Sequence, residues 1–276
     1  MIASLLDLIS EMFRFTFMQH AIIVGTLVSL CASLLGVNLV LKRYAMIGTG
    51  LSHVGFAAMA FAMWVDIAPL AISLPVVIIT AFLLLRLNES NKINGDSAVA
   101  LISTSGLAIG IIIVGLTTGI TLHICNILFG SIFATTRADV YFSIALSIVV
   151  LGTFVIFYKQ LFAVTYDESF AKATGVKVEL YKSILAVLTA ITVVVGMRML
   201  GALLISSLIL FPGISAMRLC KRFLTVVITA AIIGVVCFFV GMMFAVALDL
   251  PPGATVVSVN LVVFIILSTI SLLKKL

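Results

Sequence analysis

Charge is the property that this sequence lacks most. Only 9% of its 276 residues are charged and 63% are hydrophobic, which gives a mean hydropathy of +1.39. A soluble domain needs far more polar surface, so this composition excludes one. Apolar runs of about 20 residues, separated by short polar breaks, predict a polytopic α-helical membrane protein. We therefore expect an all-α fold of eight or nine transmembrane helices, with residues 1–276 forming a single domain.

Cysteine is also scarce. The four cysteines are widely separated and contain no close pair, so they predict neither a disulfide framework nor a zinc-knuckle site. They are Cys31, Cys125, Cys220 and Cys237.

Acidic residues are few, and none lies deep in a predicted span. All ten fall in polar breaks or near the termini. Proton-coupled carriers usually bury a carboxylate as a relay, so the energy for transport is expected to come from elsewhere. The chain also lacks a Walker A sequence or another phosphate-cradling loop. An ATP-driven transporter would need a separate ATPase subunit, and this chain is not expected to be an enzyme.

The apolar runs predict nine spans, and residues 1–15 are interpreted as an interfacial helix. Alternate breaks hold all of the 16 basic residues except Arg14, Arg137 and Arg198. By the positive-inside rule, this places the N-terminus outside and the C-terminus in the cytoplasm. The net charge of +6 is thus attributed to basic residues that set the membrane topology and not to nucleic-acid binding. The predicted spans are 17–41, 46–64, 68–86, 98–118, 140–158, 183–200, 202–217, 224–247 and 255–273.

The longest predicted cytoplasmic break contains the stretch TYDESFAKATGVKV, residues 165–178. Asp167 is a good N-cap, and Phe170 and Ala171 follow at helical spacing. Gly175 can end the helix in the left-handed conformation. The pattern predicts a short amphipathic helix outside the membrane. It serves either as an interfacial connector or as a docking site for a cytoplasmic partner.

The second predicted span begins with GTGLSH, residues 48–53. Thr49 and His53 are one helical turn apart and share a face. Ser52 and His53 are adjacent and point about 100° apart, so they cannot form a nucleophile–base pair in one chain. An intramembrane enzyme is therefore only a remote alternative. The histidine either hydrogen-bonds a neighbouring helix or lines a functional path.

Four stretches together resemble the permease subunit of the ABC-3 family, the bacterial importers of zinc, manganese and iron. The resemblance runs from about residue 17 to the end. In the first stretch the family typically has Gly-Asp-x-Leu-Ser-His after basic residues. The stretches are LVLKRYAMIGTGLSHVGFAAMA (39–60), CNILFGSIFA (125–134), YDESFAKATGVKV (166–178) and GMRMLGALLISSLILFPGISAMRL (196–219).

The resemblance implies a homodimeric permease in the bacterial cell membrane. It implies that a cytoplasmic ATPase, which binds the ATP, docks on residues 167–175, and that an extracellular metal-binding lipoprotein delivers the ion. No cofactor is expected to be tightly bound, because the metal is cargo. The residues implied to bind the ATPase are Asp167, Glu168, Phe170, Ala171 and Gly175.

The sequence departs from the family at the expected metal path, which the family's Asp and His in the second span line. Thr49 stands where the family has the aspartate, and His53 remains. A divalent cation in a low-dielectric path needs compensating charge, which a threonine hydroxyl does not supply. Neutral imidazole still suits Zn²⁺, so zinc is the expected cargo, with manganese and iron as alternatives. The other interpretation is a permease that assembles but transports poorly, unless a second, different permease chain supplies the aspartate.

His123, in TLHICNILFG, is the third candidate metal residue. The family often has an aspartate there, and the predicted position is the outer mouth. His123 and Cys125 would share a face in an extended stretch and could catch a soft metal on entry. Alternatively, His123 is a solvated loop residue and Cys125 a packed small hydrophobe. A permease for organometals or siderophores is disfavoured by the small size and the Ser-His motif.

Overall fold

The structure of the chain is a computed structural model that describes residues 15–42, 44–89, 95–116, 130 and 135–273. In this part of the chain the secondary structure is helical throughout. The helices are α1 (Thr16–Leu41), α2 (Ile47–Trp64), α3 (Pro69–Glu89), α4 (Gly95–Leu116), α5 (Arg137–Ile156), α6 (Tyr158–Tyr166), α7 (Glu168–Ala173), α8 (Val178–Leu200), α9 (Ala202–Leu219), α10 (Phe223–Leu248) and α11 (Pro252–Leu273).

Among the described residues, nine helices are long and apolar enough to cross a membrane. They coincide with the nine predicted spans, so the predicted all-α membrane fold is confirmed. The largest difference at a helix start is in α8, which begins at Val178 and not at residue 183. The reason is that Lys182 is buried within the helix and does not belong to a polar break. The predicted interfacial helix at 1–15 lies outside the described residues, apart from Phe15.

Helix α9 passes through Pro212 and ends only at Leu219. The helix thus extends two residues beyond the predicted span of 202–217. Pro212 is itself buried among the helices of the core. Neighbouring helices in a membrane protein stabilise a helix that has lost one backbone hydrogen bond to proline.

Helices α1 and α8 form the centre of the bundle and bury most of their length, whereas α3, α4 and α11 bury only a small share of theirs. Helix α1 packs against α9, α10, α5 and α8. Small residues make these contacts close: a Cβ on Gly36 would overlap the carbonyl oxygen of Ile209, and one on Gly234 would overlap Ser33. Close backbone approach through small residues is how membrane helices gain packing energy.

Two sets of ion pairs mark the two ends of the bundle. At one end, which we call the basic end, Lys42 after α1 and Lys182 near the start of α8 both contact Glu168. At the opposite end, Asp139 at the start of α5 lies 3.5 Å from Arg198 at the end of α8. The end of α1 thus lies beside the start of α8, and the start of α5 beside the end of α8, so α8 runs antiparallel to both α1 and α5.

Candidate functional site

Thr49 and His53 lie in the first two turns of α2, which pack against both α9 and α4. A Cβ on Gly48 would lie 3.1 Å from Ile209 on α9, and one on Gly50 would lie 3.1 Å from Val99 on α4. The glycines thus let α2 fit tightly between two other helices. Thr49 and His53 are both half-buried, so the face that they share is accessible from outside the single chain.

A hydrogen bond across two helices orients the imidazole. Nδ1 of His53 lies 2.7 Å from the hydroxyl oxygen of Ser103, a buried residue of α4. The helices come this close because α4 carries a glycine at 106, where a Cβ would lie 3.0 Å from the backbone nitrogen of Val54. Within the described residues, Nε2 has no hydrogen-bond partner. This is the nitrogen that can bind a cation while Ser103 holds the other.

Ser52 points away from the imidazole. Its hydroxyl oxygen lies 3.1 Å from that of Ser206 on α9 and also donates to the carbonyl of Gly48 at 2.8 Å. Ser52 therefore faces α9 whereas His53 faces α4. The prediction that these adjacent residues cannot form a nucleophile–base pair agrees with this geometry.

One chain does not supply a complete metal site from its described residues. No group of three or more histidine, cysteine, aspartate or glutamate side chains comes together there. Thr49 adds only a neutral hydroxyl beside His53 on α2. His123 and Cys125 lie outside the described residues, and their role stays a prediction.

The helix predicted within residues 165–178 is present but shorter. Oδ1 of Asp167 accepts hydrogen bonds from the backbone N–H groups of Ser169, at 2.9 Å, and Phe170, at 3.0 Å. This confirms the predicted N-cap. Gly175 has a φ of +82°, which confirms the predicted left-handed end. The helix itself, α7, has six residues because α6 extends to Tyr166 on its N-terminal side.

The side chains predicted to bind an ATPase have different surroundings. Phe170 is 64% exposed, and Asp167 and Gly175 are also exposed. Ala171, by contrast, is fully buried in a small apolar cluster beneath α7. Three of the predicted residues thus face outward, and Ala171 fixes the helix to the rest of the protein.

Glu168, the fifth predicted residue, points inward to two lysines. Its Oε1 lies 2.8 Å from Nζ of Lys42, and its Oε2 lies 2.6 Å from Nζ of Lys182. The lysine side chains are only 7% and 5% exposed, respectively. Burial raises the pKa of Glu168, but the hydrogen bonds and charges of Lys182 and Lys42 outweigh this effect, so its pKa lies below its ordinary value.

The contacts of His53 with Ser103 and of Glu168 with Lys182 were not predicted from the sequence, although the sequence contains a signal for each. Ser103 lies three residues before Gly106, and Gly110 follows; small residues at this spacing are typical of close helix packing. Lys182 lies four residues after Val178 and three before Leu185, on the buried face of α8. A lysine in an otherwise apolar helical stripe indicates a buried ion pair.

Comparison with known proteins decides the family. The model of the ABC 3 transport family matches residues 14–271, almost the whole chain. The chain belongs to this family.

Individual members and one solved structure agree with the family match. The ABC-3 permease is 27% identical to the high-affinity zinc uptake system membrane protein ZnuB of Haemophilus influenzae, over 91% of this chain and 97% of that protein. It is 25% identical to the manganese transport system membrane protein MntC of Halalkalibacterium halodurans, over 92% and 87% of the two chains. PsaBC from Streptococcus pneumoniae, solved in complex with a Fab, superposes with a TM-score of 0.84 at 25% identity, covering 97% of this chain and 95% of that one.

The function follows from family and fold together. This chain is the multi-pass membrane permease of a bacterial ABC importer for manganese, zinc or iron, and it is not itself an ATPase. Membership of an ABC transporter complex implies an ATPase partner and a binding-protein partner.

Proposed function

We propose that this permease works as a dimer of two identical chains and that the metal passes between their α2 helices. The observation that carries the proposal is the orientation of His53, half-buried one turn from Thr49, with Nδ1 held by Ser103. One imidazole is too few ligands for a transition metal, and two chains contribute two. The two threonine hydroxyls complete an intermediate site of neutral ligands.

Neutral ligands favour zinc among the three metals of the family. Imidazole is a borderline ligand that suits Zn²⁺, whereas Mn²⁺ prefers carboxylate and other oxygen ligands. With Thr49 in place of the family's aspartate, the path carries no negative charge to offset that of the cation. We therefore assign zinc as the preferred cargo, with manganese and iron transported less well.

The basic end is proposed to face the cytoplasm, where α7 docks on the ATPase. The exposed Asp167, Phe170 and Gly175 are proposed to contact it, because α7 and its flanking turn present them to solvent. An extracellular metal-binding protein is proposed to deliver the ion at the opposite end. ATP binding by the partner then alternates the access of the site between the two sides.

The test is metal uptake by proteoliposomes that contain the permease, its ATPase and its binding protein. We expect ATP-dependent uptake of Zn²⁺ above that of Mn²⁺ and Fe²⁺ measured in parallel. His53→Ala should abolish this uptake because it removes the metal-binding nitrogen. His20→Ala, in α1, removes a histidine elsewhere and should leave uptake unchanged. Wild-type zinc uptake by His53→Ala would overturn the proposed site.

Thr49, which stands where the family has an aspartate, also supports a second candidate, a permease that assembles but transports poorly. Thr49→Asp separates the two candidates. If zinc import is the function, this variant should shift the preference towards Mn²⁺. If instead the wild-type complex hydrolyses ATP without moving metal and Thr49→Asp restores movement, the second candidate is correct.

A further inference from the structure

Two buried lysines and one glutamate join three segments of the chain at the basic end. Glu168 is the first residue of α7, Lys42 follows the last residue of α1, and Lys182 lies in the second turn of α8. The two carboxylate oxygens each contact a different lysine, at 2.8 and 2.6 Å. We call this group the lysine clamp.

Stability alone does not explain the lysine clamp. Taking ammonium groups out of water is costly, and apolar side chains of similar size usually stabilise a protein as well or better. The neighbouring pair of Lys172 and Glu179 shows the ordinary alternative. It spans 3.5 Å and both side chains are more than half exposed. A short, buried and directional set of charged hydrogen bonds instead fixes the position of one element relative to two others.

The lysine clamp lies between α7 and the helix of the proposed metal path. Only four residues separate Lys42 from the start of α2 at Ile47. A cavity of about 30 Å³ beside Lys42 and Lys182 is lined on the α2 side by Ile47 and Leu51. These two residues belong to the same turns of α2 as Thr49 and His53. Through Lys42 and Lys182, Glu168 is therefore linked directly to the end of α1 and to the start of α8.

Few other contacts hold α7. Its six residues follow the end of α6 and precede the glycine turn at 175, and Ala171 supplies its one fully buried side chain. Thr165, just before it, donates a hydrogen bond to Asn38 on α1 at 2.9 Å. The charged hydrogen bonds of Glu168 are therefore the short, directional contacts that join α7 to α1 and α8.

We infer that the lysine clamp is the positioning device that transmits movement of α7 to α1, α2 and α8 during transport. Lys42, Glu168 and Lys182 are positioning residues in this scheme and touch neither metal nor nucleotide. The inference rests on the proposed docking of the ATPase at α7.

The test measures metal transported per ATP hydrolysed in the reconstituted complex. Glu168→Gln keeps the shape of the side chain but removes its charge. We expect the ratio of Zn²⁺ moved to ATP hydrolysed to fall by about tenfold or more, since a small misplacement of a site has effects of this size. ATP hydrolysis and co-purification of the ATPase should remain. Glu179→Gln, which breaks the exposed pair nearby, is the matched control and should keep the wild-type ratio.

Two further variants separate positioning from folding. Glu168→Asp keeps the charge on a shorter side chain and should recover part of the ratio. The triple variant Lys42→Met, Glu168→Leu, Lys182→Met removes all three charges of the lysine clamp together, so it should fold and bind the ATPase yet remain uncoupled. A wild-type ratio in Glu168→Gln or in the triple variant would overturn the inference. Loss of ATPase binding in step with transport would also overturn it, because Glu168 would then be a docking residue.

A spectroscopic readout tests the lysine clamp without transport. In a cysteine-free background, spin labels at Ser169 on α7 and Arg86 on α3 report the position of α7 relative to the bundle. The distance distribution should broaden in Glu168→Gln, and an unchanged distribution would contradict the inference. If the proposed function is wrong, the result differs: the wild-type complex moves no metal with ATP, whether or not the spin-label distances change in Glu168→Gln.

Discussion

A single hydrogen bond determines which imidazole nitrogen of His53 is available to a metal ion. A histidine in a membrane helix without a fixed partner can rotate and present either nitrogen. Ser103 removes that freedom by engaging Nδ1 at 2.7 Å. Partners of this kind orient metal-binding imidazoles and tune their affinity. Ser103 is therefore as much a part of the proposed path as the histidine itself.

Substitution of Ser103 tests this role. Ser103→Ala removes only the hydroxyl, so the fold should persist while the apparent affinity for Zn²⁺ in uptake assays falls by about tenfold. The adjacent Thr104→Ala is the control. Its exposed hydroxyl bonds only carbonyls of its own helix, at 2.7 and 3.2 Å, so zinc uptake should not change. Equal zinc affinities for the two variants would show that Ser103 does not position the imidazole.

At the scale of elements, helices α1 and α9 approach each other backbone to backbone in the core. Gly36 meets the backbone of Ile209, and a Cβ on Gly213 would lie 3.5 Å from the backbone of Gly36. Helices that touch backbone to backbone cannot accommodate a methyl group without moving apart. This contact also supports α9 where Pro212 removes one of its hydrogen bonds.

Gly36→Ala should therefore destabilise the permease, although alanine is the better helix former. We expect a loss of about 2 kcal/mol from overpacking, measured as a lower midpoint of thermal unfolding in detergent. Gly152→Ala on α5 is the matched control because nothing lies within 4 Å of its added Cβ. That variant should be neutral or gain up to about 1 kcal/mol from helix propensity. A stable Gly36→Ala protein would contradict the packing argument.

For the whole molecule, the nine candidate spans among the described residues predict that the two ends of the chain lie on opposite sides of the membrane. The ion pairs at the two ends of the bundle show that α8 runs antiparallel to α1 and α5. The side that faces the cytoplasm is predicted from the basic residues. The predicted orientation assigns α7 to the side where ATP is available. This orientation is what an ATPase docking at α7 requires.

Cysteine labelling on intact cells checks the orientation. In a cysteine-free background, Trp64→Cys at the end of α2 should react with a membrane-impermeant maleimide, and Tyr166→Cys at the end of α6 should not. Both positions are accessible on the chain, with side chains 54% and 82% exposed. After the cells are opened, Tyr166→Cys should react as well. The reverse pattern would invert the topology and exclude α7 as the docking helix.

The sequence predicted the elements better than the contacts between them. Hydropathy located the nine spans, and the chemistry of Asp167 and Gly175 located both ends of α7, because these signals are local. The partners of His53 and Glu168 were not predicted, since Ser103 and Lys42 are distant in sequence and meet them only through packing. The family resemblance identified His53 and Thr49 but gave no information on what orients them.

The central position of α1 has a consequence for how the protein is made. This helix is the first of the described helices to leave the ribosome, yet the surfaces that cover it belong largely to α9 and α10, which are synthesised near the end. Ser33 and Gly36 cannot make their contacts with α10 and α9 until those helices have been synthesised. The bundle therefore cannot close in the order of synthesis, and the earliest helix remains open to membrane chaperones and proteases until the chain is nearly complete.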